Sequence, residues 1–281
     1  MRRWAALDQK AHVSCAFLSI KSVLVLELNR YFLELESETV RLANLAHEAD
    51  GQLPIPTCPD WTLEQMVEHV GRGHRWAAEI IRRRLPEPIA MQEVVVPADP
   101  DERSEWLTAG ARMLADAVRV VGAQQPVWTW QRDRSAGFWL RRLLHDEVVH
   151  RFDAELALGA TGDLAADLAA DGVSDVLDTA AALSRPDIGV PSPFAGLVGA
   201  GESLQFIATD TDLGSSGEWS IIRSPAGVTW RHGHETAHVT VRGPALQLLL
   251  LLNRRLPVET ADVEISGDRK IFAHWWSNSR F

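Results

Sequence analysis

The stretch LLHDEVVHRFDAELALG, residues 143–159, decides how the first half of this chain is read. Its central part, HDEVVHRFDAE at 145–155, holds two histidines and four acidic residues. The surrounding pattern predicts a helix from about Ala136 to Leu158, ended by Gly159. On such a helix residues four apart share a face, so Asp146 and His150 project together. Glu147 and His150 are related by three positions, while His145 points well around the axis. A carboxylate and an imidazole one turn apart offer two ligands to a divalent cation. A catalytic zinc takes three protein ligands and keeps an open position, as does a two-histidine, one-carboxylate iron site. The third ligand would have to come from a facing helix. The same acids stand among Arg141, Arg142 and Arg151, and charges at this spacing usually form a solvated face with minor ion pairs. Spacing alone leaves both readings open.

Further helices lie upstream. One is expected from Asn29 to about Ala49, stopped by Asp50-Gly51. After the Pro-rich loop LPIPTCPDW, Thr62 and Gln65 form a capping box that starts a helix running to about Arg84. A third fits Pro100 to Val121. Four helices with mostly ordinary connections suggest a four-helix bundle. The second of them carries His69 and His74, about 140° apart around the axis, so at most one suits a given face. His74 beside Val70 and Ala77 fits a core histidine.

Downstream the pattern changes. Residues 163–184 read as an Ala/Asp-rich helix and 185–201 as a Pro/Gly loop. Strands follow in ESLQFIATD, GEWSIIRS, GVTWRHG and AHVTVRG, the second and third joined by a short Pro-Ala-Gly turn. PALQLLLLLNRRL reads as a buried helix with Pro244 at its start. DVEISGD adds a strand and KIFAHWW a closing helix. This half is expected to be α+β with a mostly antiparallel sheet. In HGHETAH, residues 232–238, His232 and His234 share a strand face and are expected to face solvent.

Hydrophobic residues make up 46% of the 281 and charged ones 23%, values of a globular chain rather than a disordered one. The net charge of −10 argues against a nucleic-acid partner. Cys15 and Cys58 are the two cysteines, and no C-x-x-C occurs, which excludes a Cys-rich zinc ribbon and a disulfide framework. A reducing cytoplasm is the expected compartment. The opening segment is interrupted by Gln9, Lys10, His12 and Lys21 and does not read as a signal peptide. No apolar run reaches spanning length, so no membrane role is expected.

Two segments carry a resemblance. PTCPDWTLEQMVEHVGRGHRWA, residues 56–77, and LLHDEVVHRFDAELALG resemble the two signatures of the mycothiol-dependent maleylpyruvate isomerase family, the second usually written H-E-x-x-x-H-R-x-D. HVTVRGPALQLLLLLNRRLP at 238–257 and VEISGDRKIFAHWW at 263–276 resemble its C-terminal domain. The resemblance covers roughly residues 29–281. It implies a DinB-like four-helix bundle at 29–162 followed by a small α+β domain, similar to sterol-carrier folds, at 163–281. Residues 1–28 fall outside it and are expected to pack poorly as an N-terminal extension.

The resemblance also implies a site. A divalent metal, typically zinc, would be held by His69, Asp146 and His150, with His69 chosen over His74 by its place in VEHVG. The family usually has Glu where this chain has Asp146. The shorter side chain reaches less far, so the metal would sit closer to the helix, bind more weakly, or take Glu147 in its place. Asp153, one turn from His150, would orient its ring. Mycothiol is the implied cosubstrate, its metal-bound thiolate adding to a small electrophile. The implied activity is isomerisation or thiol transfer. Anionic substrates call for cations, for which Arg72, Arg75, Arg142, Arg151 and Arg254 are candidates, with Arg72, Arg151 and Arg254 foremost. Cys58 is taken as structural, and no catalytic residue is assigned. The alternative is a noncatalytic metal- or ligand-binding protein on the same scaffold.

Overall fold

The computed structural model describes residues 26–91, 94–131, 133–188 and 191–279. The expectation for the N-terminal extension falls mostly on residues 1–25, outside the described residues, as does Cys15. Leu26 and Leu28, at its end, pack against the core.

Four long helices form the first half: α1 (Leu28–Glu48), α2 (Leu63–Arg82), α3 (Pro100–Val121) and α4 (Ala136–Ala157). Their starts are written locally. The Thr62 hydroxyl accepts from Gln65 N–H while the Gln65 side chain accepts from Thr62 N–H, closing the capping box. Asp99 caps α3 ahead of Pro100, and Ser135 caps α4. Gly159, at φ 68°, follows the end of α4. The Pro-rich loop before α2 is more ordered than expected. Pro54–Ile55 (β1) and Cys58–Thr62 (β2) pair antiparallel as a short hairpin. It is too short to show a period-2 pattern in sequence.

Helix α2 packs along α3, and α1 against both α3 and α4. The solvated-face reading of α4 does not hold. Arg141, His145, Glu147, His150, Arg151, Asp153 and Glu155 are all buried, because α4 is covered by α1, α2 and the helix that follows it. Buried charges need partners, and α4 collects them from several elements.

The second half opens with α5 (Ala166–Leu183) and carries strands β3 (Ser203–Ala208), β4 (Glu218–Ser224), β5 (Gly227–His232), β6 (Val239–Gly243) and β7 (Glu264–Gly267), with helices α6 (Ala245–Leu252) and α7 (Arg269–Asn278). The sheet order is β5-β4-β3-β6-β7, antiparallel except for the β3–β6 pair. The expected hairpin is β4–β5, with Ser224 opposite Gly227. α5 packs on α6 and β5, and one apolar core runs from Tyr31 and Trp139 in the bundle to Phe206 and Trp275 beneath the sheet.

Helix α6 ends four residues earlier than expected. Arg254 adopts a left-handed backbone, φ 63°, while Arg255 N–H reaches back to the Leu250 carbonyl at 2.8 Å. A non-glycine residue there costs about 1–2 kcal/mol. The turn sends two adjacent arginines in different directions, and this bears directly on the site.

Candidate metal centre

Three side chains from two helices meet beside the β1–β2 hairpin. One ligand atom each from His69 on α2 and from Asp146 and His150 on α4 lie within 4.8 Å of one another. The Asp146 Oδ2 stands 3.7 Å from His69 Nε2 and 3.8 Å from His150 Nε2. The shorter carboxylate therefore does reach the two imidazoles. Glu147 does not substitute for it. That side chain points into the bundle, 3.0 Å from His74 Nε2 and 2.7 Å from the Thr39 hydroxyl, with no exposure to solvent. His69 is the half-exposed member, His150 is nearly buried, and the cluster opens to solvent on one side.

On His150 and Asp146 the atom turned away from the cluster is held. His150 Nδ1 lies 3.0 Å from Asp153 Oδ2, which leaves Nε2 to face the cluster. Asp153 is buried and accepts from Arg255 Nε and Nη2, both at 2.8 Å, and from the Thr57 hydroxyl. Burial alone would raise the Asp153 carboxyl. The hydrogen bonds from His150 and Arg255 and their charges outweigh it and hold the group well below the usual carboxylate range. Asp146 Oδ1 accepts from Arg142 Nη2 at 2.8 Å. Its carboxyl is also held well below the ordinary value, against burial, by His69, His150 and Arg142. Trp61 on β2 forms an aromatic wall, its ring centroid 4.8 Å from that of His69 and 5.9 Å from that of His150.

The arginine candidates sort differently from expectation. Arg151 is fully buried and bonded to Glu38, to Glu155 at 2.6 Å and to the Asp163 carbonyl at 2.9 Å, so it braces α1 and α4. Arg254 donates to the Ser279 carbonyl at 3.0 Å and lies over the Trp276 ring. Arg72 pairs with Glu68 at 2.5 Å and reaches the Val94 carbonyl. Arg75 donates to the Gly71 and Trp106 carbonyls. Of the named candidates only Arg142 reaches the cluster, and Arg255, which was not among them, joins it. Arg255 was missed because NRRLP gives no hint of which arginine turns inward. That depends on the left-handed backbone at Arg254. Cys58 sits 3.6 Å from Arg255 Nη2, and burial, with the Asp153 charge, pushes its thiol up. Among the described residues, His232 and His234 are not joined by a third metal-binding side chain. His232 Nδ1 lies 3.2 Å from the Glu218 carbonyl, and His234 is exposed.

A helical bundle with a two-histidine, one-carboxylate cluster at its edge, joined to a sheet-bearing half that lends an arginine, defines the class. The chain matches the model of the mycothiol maleylpyruvate isomerase N-terminal domain over residues 32–155 and that of the corresponding C-terminal domain over 167–274. It belongs to the mycothiol-dependent maleylpyruvate isomerase family, an enzyme family. Among solved structures it is similar to a mycothiol-dependent maleylpyruvate isomerase, with a TM-score of 0.57 at 15% identity, covering 86% of this chain and 93% of that one. A histidine-to-alanine mutant of a mycothiol-dependent maleylpyruvate isomerase matches with a TM-score of 0.52 at the same identity and coverage. At that identity the likeness is one of fold. No curated protein matches the chain. Among the described residues, no helix is long and apolar enough to cross a membrane.

Proposed function

We propose that this chain is a metal-dependent, mycothiol-using isomerase or thiol transferase acting on a small electrophile. The observation that carries the reading is the convergence of His69, Asp146 and His150, with the outward atoms of Asp146 and His150 already engaged. A zinc-sized cation needs such a pre-oriented donor set with one side open. Two neutral imidazoles and one carboxylate would leave a dication with net positive charge, which favours an anionic fourth ligand such as a thiolate.

His69 and His150 would donate through Nε2, and Asp146 through Oδ2. A divalent cation held there would supply the acidity that keeps a bound thiol ionised at neutral pH. Asp153, itself clamped by Arg255, keeps the His150 ring from rotating and fixes its tautomer. Trp61 covers one flank and limits water access to the two imidazoles. The thiolate would add to an activated C=C bond, the resulting single bond would rotate, and elimination would return the isomerised product with the thiol regenerated. Nothing is consumed, so mycothiol acts as a catalytic cosubstrate. Thiol transfer would share the addition and omit the elimination.

The test is the metal content of tag-free protein by elemental mass spectrometry, wild type beside His69→Ala. Zinc at about one per chain, as expected of a three-ligand set with one open position, and its loss in the variant would support the reading. Wild-type protein that takes up no zinc when it is offered would overturn it in favour of a noncatalytic scaffold.

A further inference from the structure

Asp146 has its own support, distinct from that of His150. Its Oδ1 accepts from Arg142 Nη2 at 2.8 Å, and Arg142 Nη1 donates in turn to Asp175 Oδ2 on α5. Asp175 is buried, and Arg142 is mostly buried between the two carboxylates. The chain Asp146–Arg142–Asp175 therefore runs from the cluster across to the first helix of the sheet-bearing half. Asp171, Asp175 and Asp178 lie on one face of α5. Arg141 takes Asp171 at 2.9 Å and Asp178 at 2.8 Å, leaving Asp175 as the main partner of Arg142 across that joint.

A carboxylate can bind a cation through one oxygen or two. With Oδ1 given to a guanidinium, only Oδ2 remains for the cluster. We infer that Arg142, anchored by Asp175, is a positioning residue that fixes Asp146 as a single-oxygen ligand, and that zinc affinity depends through it on the docking of α5. The inference rests on the metal reading above. It also accounts for how a side chain one methylene shorter than the family's usual glutamate serves here. An aspartate has fewer rotatable bonds, so a single fixed hydrogen bond to Oδ1 aims Oδ2. Because linkage is reciprocal, bound zinc would stabilise the joint between α4 and α5 by the same free energy.

Zinc affinity by competition with a chromogenic chelator tests this. Arg142→Met is expected to weaken zinc by about 10–100-fold, the usual effect of losing an outer partner of a metal ligand. Asp175→Asn keeps the side chain's size and is expected to weaken zinc in the same direction by less. Asp178→Asn, which loosens the same joint through Arg141 rather than Arg142, is expected to lower stability and to weaken zinc less than Asp175→Asn does. Arg142→Lys restores a point charge without the planar fork and is expected to rescue in part. In the cobalt-substituted protein, Arg142→Met frees Oδ1, raises the coordination number and lowers the visible absorption, which a merely structural residue would not do. Wild type that binds zinc while folded Arg142→Met and Asp175→Asn bind it equally well overturns the inference and spares the metal reading. Equal weakening in Asp178→Asn overturns it too, by showing a general loosening. Wild type that binds no zinc overturns both.

Discussion

Asp146 and Glu147 are neighbours on α4, and each meets a histidine of α2, yet the two pairs serve different ends. Glu147 and His74 are sealed in the bundle with Thr39 beside them. Asp146 faces His69 and His150 at an edge open to solvent, next to the β1–β2 hairpin. A turn of 100° per residue separates the two carboxylates. Acid–imidazole pairing alone does not make a site. A third donor and an open side set the Asp146 pair apart. The sealed pair is better understood as a pin that fixes α4 against α1 and α2, so that the open pair meets at the right depth.

Four measurements can break or sharpen that contrast. The largest effect is expected from His150→Ala, which should abolish zinc binding while the circular dichroism of the folded protein stays unchanged. Loss of the helical signal instead would mean the open cluster is also structural. Next, His74→Ala breaks the sealed pair. Removing one partner of a buried acid–base pair costs about 3–5 kcal/mol, read in urea unfolding, while the folded fraction keeps its zinc. Zinc loss equal to that of His150→Ala would erase the distinction between the two pairs.

The third concerns acid. Asp171 is buried against Arg141, His145 at 2.7 Å and the Tyr31 hydroxyl at 2.8 Å. Burial raises its carboxyl, but Arg141, His145 and these hydrogen bonds hold it well below the ordinary range. A folded value below the unfolded one, near 3.9 in model peptides, stabilises fully above that range. This contribution is lost as pH falls through it toward the folded value. Urea midpoints should therefore drop on acidification, and less steeply in Asp171→Asn. A parallel drop in that variant would remove Asp171 from the account. The smallest effect is expected from Cys58→Ser. The thiol lies beside Asp153 and Arg255 but is no member of the cluster, so zinc content should not change. A fall in zinc would make the thiol a ligand.

The helices and their caps could be read directly, because the capping box at Thr62–Gln65, Pro100 after Asp99 and Gly159 after α4 are local chemistry. Helical spacing offered Asp146 and His150 as a pair, and only the family resemblance added His69 to them. The 145–155 charges by themselves allowed a solvated face, and that reading failed because burial of α4 is decided by three other helices. Arg151 and Arg254 were drawn as substrate residues for their charge. Their partners, Glu38 and the Ser279 carbonyl, lie 113 and 25 residues away in the chain and could not be inferred from it.

Sequence by itself determined where helices start and stop, that a bundle precedes a sheet, and which two acids lie about one turn from His150 on α4. Those are matters of hydrogen bonds and side-chain period within a few residues. Only the tertiary structure decided that Asp146 rather than Glu147 faces the open edge, that Arg255 rather than Arg254 reaches Asp153, and that Arg142 ties the cluster to α5. Each of these depends on the rotation of a helix about its axis or on one left-handed residue. Such choices are made by the packing of segments distant in the chain, where the free energy of burying a charge depends on who happens to be there to meet it.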